Sequence, residues 1–288
     1  MRRLVVLAAA LLSFVSFAQS AVIVGVVAST SDETAKKQAD AFASFVGRAV
    51  KEQALSKIYA DQEALAQALA KNEIDVALLG PLGYLRLDPK LKPQLLFRVV
   101  RHGKATYRSV LFAPANTKYP TVEALKKAKT PLKVAWVETS SATGYVIAKA
   151  SLIEQGINPV QAFETQDFLG SHDAVCKAVL EGKYDFGATF SDPVLNAAKV
   201  TGCVGPLGRK ADSLKVVLTS SEVPNDVVVA SPKFSAGKAQ AITAAAKEAG
   251  ASADGKKTLE AAFLAEGVAD VKDDDFKPVR KALEAFVP

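Results

Sequence analysis

The chain has 288 residues, with 36 Lys and Arg against 30 Asp and Glu, for a formal net charge of +6. A hydrophobic fraction of 49% excludes disorder, and 17 Gly with 13 Pro exclude a collagen-like repeat. Two Cys and two His exclude a disulfide scaffold and a His-rich metal centre, and the length suits one large domain or two lobes of about 100–150 residues each.

The first residues read as an export leader. Arg2 and Arg3 precede an uncharged, mainly apolar run from Leu4 to Phe17, and Ser16 and Ala18 are small residues at the positions a signal peptidase reads. The run is too short to span a bilayer, which takes about 20 residues, and no Cys follows it to carry a lipid. Residues 1–18 are therefore expected to be removed, with cleavage after Ser20 or Ala21 as alternatives. Losing Arg2 and Arg3 with an acid-free leader lowers the net charge from +6 to +4. The remaining Lys and Arg are scattered rather than banded, so no nucleic-acid partner is expected.

From Val22 onward, strand-like and helix-like stretches alternate. Val22–Val27 is a continuous apolar run, as in a strand buried on both faces. Residues 32–53 place Ala39, Phe42, Phe45, Val46 and Val50 on one helical stripe. A short strand ends at Ile58–Ala60, helix 62–71 and strand 74–79 follow, and 94–102 and 107–114 read as further strands. A second series then runs through strand 132–137, helix 143–155, helix 172–181, strand 185–190 and helix 193–199. Strands at 215–219 and 227–230 precede a helical, Ala-rich tail over 235–286, in which Lys272–Asp275 reads as a solvated turn. Repeated βα units predict parallel sheets covered by helices, with ligands beyond the carboxyl ends of the strands.

Catalytic signatures are absent: the chain has no G-x-S-x-G, H-E-x-x-H, Walker A or G-x-G-x-x-G motif, so no enzyme and no cofactor are expected. His102 and His172 make no metal site by themselves, and Cys176 and Cys203 either pair in an oxidising compartment or stay as buried thiols. Polar residues instead gather where strands meet helices. After Val134–Val137 come Thr139, Ser140, Ser141, Ala142, Thr143 and Gly144, then a helix. A plain N-cap needs one hydroxyl; four of them beside the free N–H groups of a helix start make an anion site. His172 stands in the first turn of the next helix, Asp192 precedes Pro193 as an N-cap would, and Asp226 follows Pro224-Asn225 as in a turn.

In this order the segments Asp75–Tyr84, Tyr107–Val110, Ser141–Gly144, Gly170–Asp173, Asp185–Ala188 and Val223–Asp226 resemble the periplasmic phosphonate-binding family of ABC importers, from about Val22 to Val279. The resemblance implies an α/β fold of the two-lobed type II periplasmic binding kind, each lobe a mostly parallel sheet flanked by helices. One lobe would comprise 22–106 and 222–288, the other 107–221, with hinge strands crossing near 103–108 and 219–225. It implies that Ser141 and Thr143 offer hydroxyls and Ala142 and Gly144 backbone N–H groups to an oxyanion, with His172 and Tyr107 donating beside them. Asp192 and Asp226 fall on the family's acidic positions, Asp226 accepting a proton from a P–OH or a ligand ammonium. Gln62 stands where some relatives carry a Tyr, and Tyr84 lines the cleft or serves the core or hinge. Ala142 departs from the family's S-T-S-G turn by one hydroxyl. The expected protein is a monomer free of any membrane anchor that delivers a small oxyanion to a membrane permease; the same fold also serves sensors that feed a histidine kinase and binders of other small ligands.

Overall fold

A computed structural model describes residues 21–27, 32–192 and 199–285. The leader expected over residues 1–18 and the helix expected at 193–199 lie outside the described residues, apart from Lys199. The described residues form eleven strands: β1 (Val22–Val27), β2 (Ala54–Tyr59), β3 (Val76–Leu79), β4 (Gln94–Val100), β5 (Thr106–Pro114), β6 (Lys133–Trp136), β7 (Thr165–Phe168), β8 (Phe186–Ser191), β9 (Leu214–Pro224), β10 (Val227–Ala230) and β11 (Gly267–Ala269). They form a six-stranded sheet in the order β11-β4-β10-β3-β1-β2 and a five-stranded sheet in the order β7-β6-β8-β5-β9.

Both sheets are mixed, which corrects the expectation of mostly parallel ones. β1 runs parallel to β2 and β3, and β6 parallel to β7 and β8. The strands beside the two crossings run the other way: β10 is antiparallel to β3 and β4, and β5 to β8 and β9. Direction follows from where the chain enters a sheet, and a buried apolar strand reads the same in either sense.

The period-two alternation of side chains fills both faces of each sheet. In β1, Val22, Val24 and Val26 pack with Phe42, Phe45 and Phe263, while Ile23 and Val27 face the cluster of Leu65, Leu69 and Phe276. In β6, Val134 and Trp136 pack with Leu152 and Phe163, while Ala135 packs with Val175 and Cys176. Burying each large side chain contributes about 1.5–3 kcal/mol, so two sandwiched sheets account for a stable frame on either side of the crossings.

The chain passes between the sheets at 101–105 and again at 225–226. Asn225, 2% exposed, ties the two passages together. Its backbone N–H donates to the Ala105 carbonyl (3.0 Å), and its Nδ2 donates to the carbonyls of Val99 (3.1 Å) and Lys104 (3.0 Å).

Local differences from the sequence reading have simple causes. The first long helix stops at Val50 because Lys51 takes a left-handed φ of 57°. The helix expected from 143 begins as a π turn, Ala142–Val146, and becomes α-helical over Ile147–Glu154. The tail contains β11, too short for an alternation pattern to show. The charged stretch Lys272–Asp275 is largely exposed, as expected, and Asp273 also accepts from Tyr84 Oη (2.6 Å) and Arg280 Nη2 (2.5 Å).

Candidate functional site

The site residues converge through strand order. β7, β6 and β8 are parallel neighbours, so the segments after their carboxyl ends lie side by side. These segments carry His172, the Ser141–Gly144 turn and Asp192. β5 runs antiparallel to β8 with Arg108 opposite Ser191, which puts Tyr107 at the same edge. Pro224 of β9 is opposite Thr106, which brings Asp226 there too. From the first sheet, Val227 pairs with Leu79, so Asp226 meets Gly80 and the start of the helix Gln62–Ala70.

Ser141 caps the turn, its Oγ accepting from the Gly144 N–H at 3.0 Å. Gly144 in turn accepts from the Val137 N–H at 3.1 Å, folding the turn back on β6. Gly144 therefore spends its N–H on the cap, whereas the N–H groups of Ala142 and Thr143, at the helix start, have no acceptor within the helix. Thr143 is buried, and its carbonyl accepts from Ser109 Oγ at 2.7 Å.

Gly170, at a φ of +81°, reverses the chain before the next helix, and Ser171 caps that helix through the Ala174 N–H. His172 follows with Nδ1 2.9 Å from Thr189 Oγ1 and its ring edge-on to Phe190. Burial lowers its pKa to about 4, against a smaller opposing pull from Asp173, so the imidazole is neutral at neutral pH. The Cys176–Cys203 disulfide joins this helix to the segment holding Thr201, whose Oγ1 accepts from the Asp192 N–H at 2.7 Å.

The acid side of this pKa gives a stability prediction. Between pH 6.5 and about 4 the unfolded chain binds a proton at His172 that the folded chain refuses, so this position lowers stability as pH falls through that window. His172→Gln is expected to flatten the fall of the melting temperature between pH 7 and pH 4. Parallel acid slopes for the two proteins would contradict the neutral, desolvated imidazole.

Tyr107 sits between the sheets. Burial raises its phenol pKa well above the usual range and Asp226 adds to this, while Arg101 and a hydrogen bond with Thr143 pull the other way. Asp226 itself accepts from Arg101 Nη2 at 2.8 Å, and Asp192 Oδ2 lies 2.5 Å from His102 Nδ1. Gln62 Oε1 accepts from the Gly80 N–H at 2.9 Å, leaving its amide NH₂ on the Asp226 side of Gly80.

Tyr84 is placed differently from a cleft-lining residue. It is 8% exposed, its ring lies tilted against Phe276 with centroids 4.5 Å apart, and its hydroxyl is taken by Asp273. That corrects the cleft option: it packs the core of the first sheet. Arg101 is the residue that sequence reasoning missed, because it reads as the end of a strand; only its position at a crossing set it apart. A surface groove of about 800 Å³, lined in part by Lys129, Pro131 and Asn158, opens near the amino end of β6, away from these residues. Among the described residues no cluster of three or more His, Cys, Asp or Glu could hold a metal ion, and no helix is long and apolar enough to cross a membrane.

A family model for the periplasmic substrate-binding protein of phosphonate ABC transporters matches residues 24–276. A binding-protein component of an ABC phosphonate transporter from Pseudomonas aeruginosa is similar in structure, with a TM-score of 0.74 at 20% identity, over 93% of this chain and 86% of that one. PhnD1 from Prochlorococcus marinus, solved with methylphosphonate, gives 0.75 at 16% identity over 92% and 98%. A Xanthomonas citri protein solved with chloride gives 0.75 at 14% identity over 93% and 100%, and it was also solved with ATP. At these identities the structural likeness establishes the fold, that of the type II periplasmic binding proteins.

Proposed function

The chain belongs to the family of periplasmic substrate-binding proteins of phosphonate ABC transporters, and from that premise we propose that it captures a small phosphorus oxyanion (phosphonate, phosphite or phosphate) and hands it to a membrane permease. The observation that carries the reading is the gathering of donors at one sheet edge: the Ser141–Gly144 turn, His172 and Tyr107 beside the two crossings.

In this reading the protein is exported through its leader, and the lobes 22–106 with 222–288 and 107–221 close over the ligand by bending at the crossings. The Ala142 and Thr143 N–H groups and the Thr143 hydroxyl bind the anion at the start of the helix. With the Thr189 hydroxyl donating to Nδ1, the His172 proton lies on Nε2, so a neutral imidazole still donates. Tyr107 donates from the hinge, helped by a phenol that burial keeps protonated. Asp226 Oδ1, the oxygen not bound by Arg101, accepts a P–OH. Sulfate has no proton to offer there near neutral pH, so a carboxylate beside the anion favours a protonated phosphorus oxyanion.

Calorimetry on refolded, ligand-free protein with phosphate, phosphite, methylphosphonate, 2-aminoethylphosphonate and sulfate tests the reading. At least one phosphorus ligand is expected to bind more tightly than millimolar, and sulfate is expected not to bind best; the opposite result on either count defeats it. Ser141→Ala, which removes the cap that sets the helix start, and His172→Ala, which removes a donor to a charged group, are each expected to weaken binding by about 1–3 kcal/mol. Unchanged affinity in both would remove the helix start from the site.

A further inference from the structure

We infer that the cleft selects phosphorus oxyanions without an ammonium substituent, because the two carboxylates proposed to face the ligand are already held by side chains of the first crossing, Arg101 on Asp226 and His102 on Asp192. The inference rests on the proposed function and narrows its substrate class.

Arg101 and His102 are consecutive, yet they reach carboxylates 125 and 90 positions away. A tight turn allows this. The Arg101 and Lys104 backbones exchange hydrogen bonds of 2.9 and 3.0 Å, and His102 takes a left-handed φ of 49°. The guanidinium is fixed from behind: Nε donates to the Leu264 carbonyl at 2.8 Å and Nη2 to the Phe263 carbonyl at 3.2 Å. Those carbonyls end the helix Ala253–Phe263, where Leu264 at a φ of 51° leaves them turned outward. A helix end with its partial negative charge suits a cation, and the cation here is permanent.

Asp192 is held as closely. It is 9% exposed, its backbone N–H is bound by Thr201, and its Oδ2 faces His102 Nδ1. A carboxylate acceptor places the proton of that ring on Nδ1. Neither acid is thus an open counter-charge for a ligand ammonium, which would also meet the like charge of Arg101 next to Asp226. The same arrangement is favourable to an anion, since Arg101 and Tyr107 flank Asp226 with a cation and a donor.

Ethylphosphonate and aminomethylphosphonate have the same number of heavy atoms and differ by a methyl against an ammonium. Calorimetry on the ligand-free mature protein near neutral pH is expected to give ethylphosphonate the tighter binding by roughly tenfold or more. Equal affinity, or a preference for the amino ligand, overturns the inference while the proposed function stands. Binding of inorganic oxyanions with neither substituted ligand also overturns it, since size rather than charge would then set the limit. If no phosphorus oxyanion binds at all, the proposed function fails and the inference fails with it. Arg101→Gln, which keeps hydrogen-bond donors and removes the charge, is expected to narrow the gap toward the amino ligand. Should that variant not fold, Asp226→Asn serves instead: the ratio of the two affinities is expected not to move against the amino ligand, and a selective loss of aminomethylphosphonate binding would show that Asp226 is its partner.

Discussion

Gly144→Val is expected to abolish ligand binding and to destabilise the protein by about 1–3 kcal/mol, the usual cost of overpacking a filled site. A Cβ at this position would lie 2.5 Å from Val137 Cβ, closer still to Val137 Cγ2, and 2.8 Å from Ser141 Oγ. Val137 is 4% exposed and belongs to the cluster that includes Val175 and Cys176, so it has no room to retreat. The helix start must move outward instead, breaking the Gly144 N–H to Ser141 cap and the Val137 to Gly144 hydrogen bond together. The first-turn N–H groups would then no longer converge on one point. Gly144→Ala is expected to be intermediate, with affinity reduced about tenfold or more, corresponding to about 1.4 kcal/mol per decade. Calorimetry alongside thermal melts separates the two effects. A valine variant that binds with parental affinity would mean that the turn holds no ligand.

Much of this site was legible in the chain because its parts announce themselves locally. A run of Ser, Thr and Gly between an apolar strand and a helix has a physical meaning at any place in a fold, and so has Gly170 before a capped helix. The apolar run Val22–Val27 likewise reads as a strand covered on both faces, and its alternate residues do enter two different clusters. What the pattern did not contain is direction and partnership. β5, β9 and β10 are antiparallel to neighbours whose apolar sequences look the same as theirs. Asp226 reads as a turn residue and Arg101 as the end of a strand; only the fold brings them to 2.8 Å. The electrostatic balance of the candidate site therefore came from long-range pairs, while its candidate donors came from short motifs. Tyr84 shows the converse: a residue in one of the family-like segments whose hydroxyl is taken by Asp273, far along the chain.

Phe263→Ala is expected to be the most destabilising single truncation in the core packed on the first sheet, at about 3–5 kcal/mol. The ring is fully buried and meets three others edge-on, Phe42 at 5.1 Å, Phe45 at 5.2 Å and Phe97 at 5.5 Å. Edge-to-face pairs of this kind add about 0.5–1.5 kcal/mol beyond area burial, and one substitution removes three. A rigid ring cluster also leaves a cavity that cannot close by small adjustments, which puts the cost at the upper end of the range. For a chain of this size the melting temperature should fall by roughly 6–20 °C. The consequence reaches the cleft, because the Phe263 and Leu264 carbonyls anchor Arg101. Loosening the end of their helix frees the guanidinium and with it Asp226, so the variant is expected to bind ligand more weakly even below its melting transition. Trp136, the one tryptophan of the chain, is buried in the second sheet and reports on that half separately. In Phe263→Ala the circular-dichroism transition should move to lower temperature ahead of the tryptophan-fluorescence transition. Coincident transitions would show that the two sheets unfold as one unit, and an unchanged melting temperature would remove Phe263 as the centre of the core.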